Sequence, residues 1–166
     1  MRKEKNNNFY IILIKPQLEE NVGAVARAML NFEFQNLRIV KNKWKPNRKS
    51  LSMSAGADII IRNAQIYKSL EEATKDLHYL YATTNRKRSL NLKVVNLKKG
   101  INEIVQIKNK KIGIVFGPER SGINNDDISL CDKIINIPLN MNINSLNLSQ
   151  SVLLIVYELF NNLKNR

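Results

Sequence analysis

Ile112–Tyr157 reads IGIVFGPERSGINNDDISLCDKIINIPLNMNINSLNLSQSVLLIVY, and the fold turns on this stretch. Two apolar runs, Ile112–Phe116 and Ile134–Ile137, end at Gly117-Pro118 and at Pro138. A polar loop, Asn140–Asn147, then feeds a strongly apolar helix. Strand, tight turn, strand, polar loop and helix are the parts from which α/β proteins build a small-molecule pocket at the C-terminal ends of their strands. A ligand site is expected here.

The chain upstream supplies the rest of such a sheet. Phe9–Ile14 is a continuous apolar run closed by Lys15-Pro16, the pattern of a strand covered on both faces in a parallel sheet. Asn21 reads as the N-cap of a helix carrying Val22, Val25, Ala26, Met29 and Leu30 at helical spacing, with Gly23, Arg27 and Asn31 opposite. Leu37–Val40 is the next strand, followed by a basic loop, Lys41–Lys49, around Trp44. Met53–Ile59 predicts a short helical turn, Ser69–Asp76 a helix and His78–Thr84 a strand, with the basic run Asn85–Ser89 directly after it. Asn96–Ile107 predicts a helix weakened by Gly100. Strands alternating with helices give an α/β class with a mostly parallel sheet flanked by helices. Met1–Asn8 is expected to be a frayed, disordered tail, and with no repeat or linker in sight, residues 1–166 read as one domain.

Charge narrows the partners. Against 14 acidic residues stand 27 Lys and Arg, a formal net charge of +13, and an excess this large points to a polyanion such as a nucleic acid. The abundance of Lys, Asn and Ile also suits A/T-rich codons, which raise the lysine count without a function. A single cysteine, Cys131, excludes an internal disulfide framework, and a lone His78 leaves little for a zinc site, so no metal is expected. No apolar stretch approaches the roughly 18 residues of a membrane span, and a cytoplasmic protein is expected.

Several chemistries can be set aside. Gly117 to Gly122 has the glycine spacing of a phosphate loop, but Ile123-Asn124 stands where Lys-Ser/Thr must hold phosphate and magnesium. The G-x-G-x-x-G of dinucleotide enzymes is missing after the first strand, since Gly23 stands alone, and no G-x-S-x-G elbow accompanies His78. His78 therefore reads as structural. Asp126-Asp127, after Asn124-Asn125, suits the first turn of a helix better than a metal site. What resists a purely structural reading is Arg27 on a small, polar helix face, Glu119-Arg120 inside a Gly/Pro turn, and Ser145-Leu146-Asn147 at the start of the last helix. Ser145 and Asn147 serve equally well as helix caps.

These residues carry a resemblance. Asn21-Val-Gly-Ala-Val-Ala-Arg27-Ala-Met resembles the first motif of the SpoU/TrmH class of RNA ribose 2'-O-methyltransferases. Phe116-Gly-Pro-Glu-Arg-Ser-Gly122 is similar to the second, and Ile137-Pro138 with Asn144-Ser-Leu-Asn-Leu-Ser149 to the third. Order and distances fit from Phe9 to Leu163, and the wording is most similar to TrmJ-type tRNA methyltransferases. The resemblance implies a C-terminal trefoil knot holding S-adenosylmethionine (SAM), a homodimer, and methyl transfer to a ribose 2'-hydroxyl of RNA. The expected substrate is a cytidine or uridine of a tRNA anticodon loop, with ribosomal RNA, or RNA binding without catalysis, as alternatives.

By the same resemblance Arg27, Asn21, Glu119, Ser145 and Asn147 are the catalytic set. Thr83, Thr84, Asn85, Gly117, Glu119, Gly122, Ile137, Pro138, Ser145, Leu146 and Asn147 are the cofactor set. RNA would meet Arg27, Lys43, Trp44, Lys45, Arg86, Lys87, Arg88 and Arg120, with the Trp44 ring either stacking on a base or anchoring its loop. Independently, the last helix is apolar nearly all round from Val152 to Phe160, which suits burial against the sheet and against a second subunit. Two departures stand out. Glu33 occupies a turn where the family has glycine, and the chain stops at Arg166, where TrmJ-type enzymes carry a C-terminal extension; single-domain relatives of about this length methylate the wobble nucleotide instead.

Overall fold

A computed structural model describes residues 6–86, 91–143 and 145–165. Seven strands, β1 (Phe9–Ile14), β2 (Asn36–Val40), β3 (Gln65–Tyr67), β4 (Tyr79–Thr83), β5 (Lys93–Asn96), β6 (Ile112–Phe116) and β7 (Lys133–Asn136), form one sheet in the order β3-β2-β1-β6-β4-β7-β5. Every pairing is parallel. Between the strands run α1 (Glu19–Asn31), α2 (Arg48–Ser54), α3 (Asp58–Arg62), α4 (Leu70–Thr74), α5 (Leu97–Gln106), α6 (Asn125–Ser129) and finally α7 (Leu148–Lys164).

The continuous apolar runs are explained by cover on both faces. Along β1, Phe9, Ile11 and Leu13 join the core under α1, α3, α5 and α7. Ile12 and Ile14 point the other way, into a second core with Leu70 of α4 and Ile128 of α6. Strand side chains alternate, so a strand covered on both sides must be apolar at every position. The burial pattern of β6, IGIVF, is unbroken.

The sequence of crossings places the site. β4 and β5 are consecutive in the chain, yet the later strand β7 lies between them. Asn85, just after β4, is fastened to the end of β7: its Oδ1 accepts from the Asn136 amide at 3.0 Å and from the Ile137 N–H at 3.1 Å.

Some expectations need correction. The tail is ordered from Asn6, which is buried and donates from Nδ2 to the Glu33 carbonyl at 3.3 Å; residues 1–5 lie outside the described residues. Asn21 is not the N-cap of α1. Leu18 holds that position without a side-chain bond, and Asn21 lies buried in the first turn. The helix expected at Met53–Ile59 is broken by Ala55 in a left-handed conformation (φ 43°), while α2 starts earlier because Asn47 caps it reciprocally with Ser50. Strands β3 and β5 went unread because both are short, polar edge strands with no apolar run. Glu33 does adopt the left-handed conformation expected of that turn, with φ 64°.

Candidate active site

At the C-terminal ends of β4, β6 and β7 lies a cavity of about 440 Å³. Each wall has a local cause. β4 ends in Thr83, whose hydroxyl donates to the Val115 carbonyl at 2.8 Å, and continues into Thr84, Asn85 and Arg86 along the cavity. β6 ends in Phe116 and the turn Gly117–Gly122, closed by the Gly122 N–H on the Pro118 carbonyl at 2.8 Å. A Cβ on Gly117 would stand 2.3 Å from the Ile123 nitrogen, so the turn folds back on itself only because that position is glycine. Ile137 beyond β7, then Ser145, Leu146, Leu148 and Ser151 at the head of α7, close the other side.

One hydrogen-bonded chain ties the three motifs together. Glu119 accepts from the backbone N–H groups of Gln17 (2.8 Å) and Leu18 (3.1 Å) and from the Asn21 amide (3.0 Å). Glu119 thus caps α1 from another part of the chain, which supplies the acceptor that Leu18 lacks. Burial pushes its carboxyl up, but the Asn21 amide and the backbone N–H donors outweigh that and hold it below its ordinary range. Asn21 in turn accepts from Asn147 Nδ2 at 3.2 Å, and Asn147 Oδ1 caps α7 through the Ser149 N–H at 2.9 Å. Gln17 Oε1 accepts the Arg120 N–H at 2.9 Å, fixing the same turn a second time.

Of the expected cofactor set, Thr83, Thr84, Asn85, Gly117, Glu119, Gly122, Ile137, Ser145 and Leu146 line this cavity. Pro138 does not. It lines a separate hollow with Leu97 and Lys98. Asn147 does not line it either, because its side chain is committed to Asn21 and to capping. Phe116, Pro118, Leu148 and Ser151 were missed, being apolar or small residues next to the motif positions. Arg86 and Arg120, expected to meet RNA, line the cavity as well, with an Arg86 guanidinium N–H donating to the Arg120 carbonyl at 2.6 Å.

Arg27 lies elsewhere. It is exposed on α1, lines none of this cavity and, among the described residues, its side chain makes no hydrogen bond or ion pair. Lys43 and Lys45 are exposed in the loop after β2, but Trp44 is only 6% exposed and its indole N–H donates to Glu19 at 2.9 Å. Its ring anchors the loop, and the stacking expectation falls. Lys87 and Arg88 lie outside the described residues. His78 accepts the Lys111 N–H on Nδ1 at 3.0 Å, a structural role, and burial pushes the Cys131 thiol up to about 12, which leaves it unreactive. Among the described residues no group of three His, Cys, Asp or Glu side chains could hold a metal, and no helix is long and apolar enough to cross a membrane.

Comparison with known proteins agrees with this geometry. The sequence model of the SpoU rRNA methylase family matches residues 8–157. The tRNA (cytidine-2'-O-)-methyltransferase TrmJ of Methanocaldococcus jannaschii is 37% identical over 153 residues, covering 90% of this chain and 66% of that protein. The crystal structure of TrmJ from Z. mobilis ZM4 superposes with a TM-score of 0.86 at 40% identity, over 92% of this chain and 68% of that one. The SpoU methyltransferase AviRb of Streptomyces viridochromogenes, in complex with AdoMet, shares the fold with a TM-score of 0.74 at 18% identity, over 94% of this chain and 58% of that one. The chain spans just under two thirds of the length of the curated relatives it matches.

Proposed function

This chain belongs to the SpoU rRNA methylase family, and on that footing we propose that it transfers a methyl group from SAM to a ribose 2'-hydroxyl of a tRNA anticodon-loop cytidine or uridine. The observation that carries the reading is the cavity at the ends of β4, β6 and β7, walled by two of the family motifs and braced by the third through Asn21. Its make-up suits SAM. Ile137, Leu146 and Leu148 give apolar walls for an adenine, while Thr84, Asn85 and the backbone of the 117–122 turn give polar partners for ribose and amino acid. SAM would supply an electrophilic methyl group on a positively charged sulfur. The protein's task is to place a weak nucleophile against it.

A ribose hydroxyl must lose or share its proton as it attacks. A guanidinium carries only donors and no acceptor, so the part of Arg27 is to hold an RNA phosphate and stabilise the developing oxyanion rather than to act as a base. It is absent from its own cavity wall, which fits an arginine delivered by a second subunit. Leu30, one turn along α1, and Leu153, Leu154 and Tyr157 on α7 are exposed at 38%, 40%, 36% and 44%, an apolar surface suited to a homodimer contact. Glu119 and Asn147 position Asn21 and the two helix ends, and the exposed Lys43 and Lys45 attract RNA phosphate. The expected setting is the cytoplasm.

Calorimetry with SAM, followed by labelled SAM with total RNA and mapping of the modified nucleotide, tests the reading. Saturable SAM binding and label on a ribose of tRNA are expected. Label confined to ribosomal RNA, or on a base, overturns the substrate; no SAM binding at millimolar cofactor overturns the enzyme.

A further inference from the structure

The turn 117–122 has two sides. Behind the side that walls the large cavity lies a second cavity of about 410 Å³, which shares Pro118 and Gly122 with the first. Its floor and rim come from three places in the chain: Ile14 and Lys15 at the end of β1, Ser121 and Ile123 after the turn, and Asn124, Asn125 and Asp127 at the start of α6. None of these residues except the shared turn has a part in the cofactor cavity, and Lys15 and Asp127 belong to no motif of the first subsection.

The chemistry of this cavity is bipolar. Lys15 is exposed, follows directly on the buried strand β1 and holds a left-handed backbone conformation (φ 42°). Its N–H is tied to the Val40 carbonyl at 2.9 Å, so the conformation is enforced by the sheet. Asp127, which lines the same cavity, is half-buried. Burial pushes its carboxyl up from the ordinary value, and the opposing pull of Lys15 and Asn124 does not cancel it, with Asp126 adding to the rise. The two groups form no salt bridge with each other among the described residues. The buried Ile14 and Ile123 line the same cavity. A cation, a carboxylate and two apolar side chains on one cavity are partners for the phosphate, the exocyclic amine and the base of a nucleotide respectively.

We propose that this second cavity is a subsite for the RNA nucleotide adjoining the methylated one, with Lys15 on its phosphate and Asp127 accepting from the exocyclic amine of its base. The inference rests on the methyltransferase reading, because it takes the target ribose to lie against the first cavity. The neighbouring nucleotide then falls on the other side of the shared turn. A carboxylate accepts from the amino group of cytosine, adenine or guanine, and uracil has none to give. Lys15 acts as a point charge, so its contribution is independent of base identity.

The test measures binding and catalysis separately. Wild-type protein, Lys15→Gly and Asp127→Asn are titrated with fluorescent stem-loop RNAs carrying C, A, G or U beside the mapped target, and SAM affinity is measured on each protein. Lys15→Gly is the informative truncation because glycine accepts the left-handed backbone, so loss of binding is not loss of fold. Expected for it are roughly tenfold weaker RNA binding on every sequence and a salt slope reduced by about one, with SAM affinity unchanged. Lys15→Arg should restore both. Asp127→Asn should reduce the preference for an amino-bearing base over uracil by about tenfold. RNA affinities equal to wild type in both variants overturn the proposal. So does an equal loss of SAM affinity, which would assign the cavity to the cofactor. If the wild type binds RNA but methylates none, the methyltransferase reading fails while these binding ratios still decide the subsite.

Discussion

The wall of the large cavity and the outer face of α1 and the loop after β2 are built on opposite plans. Behind the cavity wall the polar side chains of the Glu119–Asn21–Asn147 chain are held by partners 98 or 126 residues away. On the outer face Arg27, Lys43 and Lys45 are exposed and, among the described residues, their side chains make no hydrogen bond or ion pair. A fixed acceptor geometry suits a cofactor of constant shape. Free cations suit a polyanion or a second subunit, which settles their positions on arrival. The difference teaches that folding alone fixes the Glu119–Asn21–Asn147 chain and leaves the outer cations, among the described residues, unpaired.

Breaking the open half should have the largest effect. Arg27→Ala removes a group that neither packs in the core nor touches the cavity, so methyl transfer should fall by about a thousandfold while SAM affinity by calorimetry stays within about twofold. Parallel loss of both would place Arg27 in the pinned half. Gly23→Ala attacks the join between the halves. Its Cβ would sit 2.2 Å from the Ser50 carbonyl oxygen where α2 crosses α1, and denaturant unfolding should show a loss of about 3 kcal/mol.

Within the pinned half, Glu119→Ala leaves the Gln17 and Leu18 N–H groups and the Asn21 amide without their acceptor. About 2 kcal/mol of stability should be lost, with weaker SAM binding. The sign of its pH dependence follows from a folded carboxyl held below its ordinary 4.5. The stabilisation is complete above the ordinary value and disappears as pH falls through the lower folded one. The stability gap between wild type and Glu119→Gln should therefore narrow on acidification below about pH 4.5. A gap constant with pH would show that the carboxylate charge does not matter there. The smallest effect is a gain. Glu33→Gly relieves a left-handed residue (φ 64°) and should raise stability by about 1 kcal/mol without touching activity.

Legibility in the sequence followed locality. Phe9–Ile14 and Ile112–Phe116 were read to the residue because a strand covered on both faces announces itself as an unbroken apolar run. β3 and β5 did not, since edge strands keep one side in water and need no such run. The same holds at the site. Gly117–Gly122 and Ser145–Leu146 were found because their motifs are contiguous. Pro138, next in the chain to Ile137, lines a different hollow, and the motif alone does not separate the two. Trp44 was undecided in the sequence, since an exposed platform and a buried anchor carry the same letter; only the Glu19 carboxylate beside its indole N–H separates them.

By itself, then, the amino-acid order determined the class of fold, the three motif segments and the cationic character of the surface, because propensity, periodicity and charge are properties of neighbouring residues. Tertiary structure alone decided the strand order that inserts β7 between β4 and β5, the use of Glu119 as a cap for α1, and the meeting of Lys15 and Asp127 at one cavity. Those are meetings between segments far apart in the chain, and which of them occur depends on how helices and strands bury their apolar faces together.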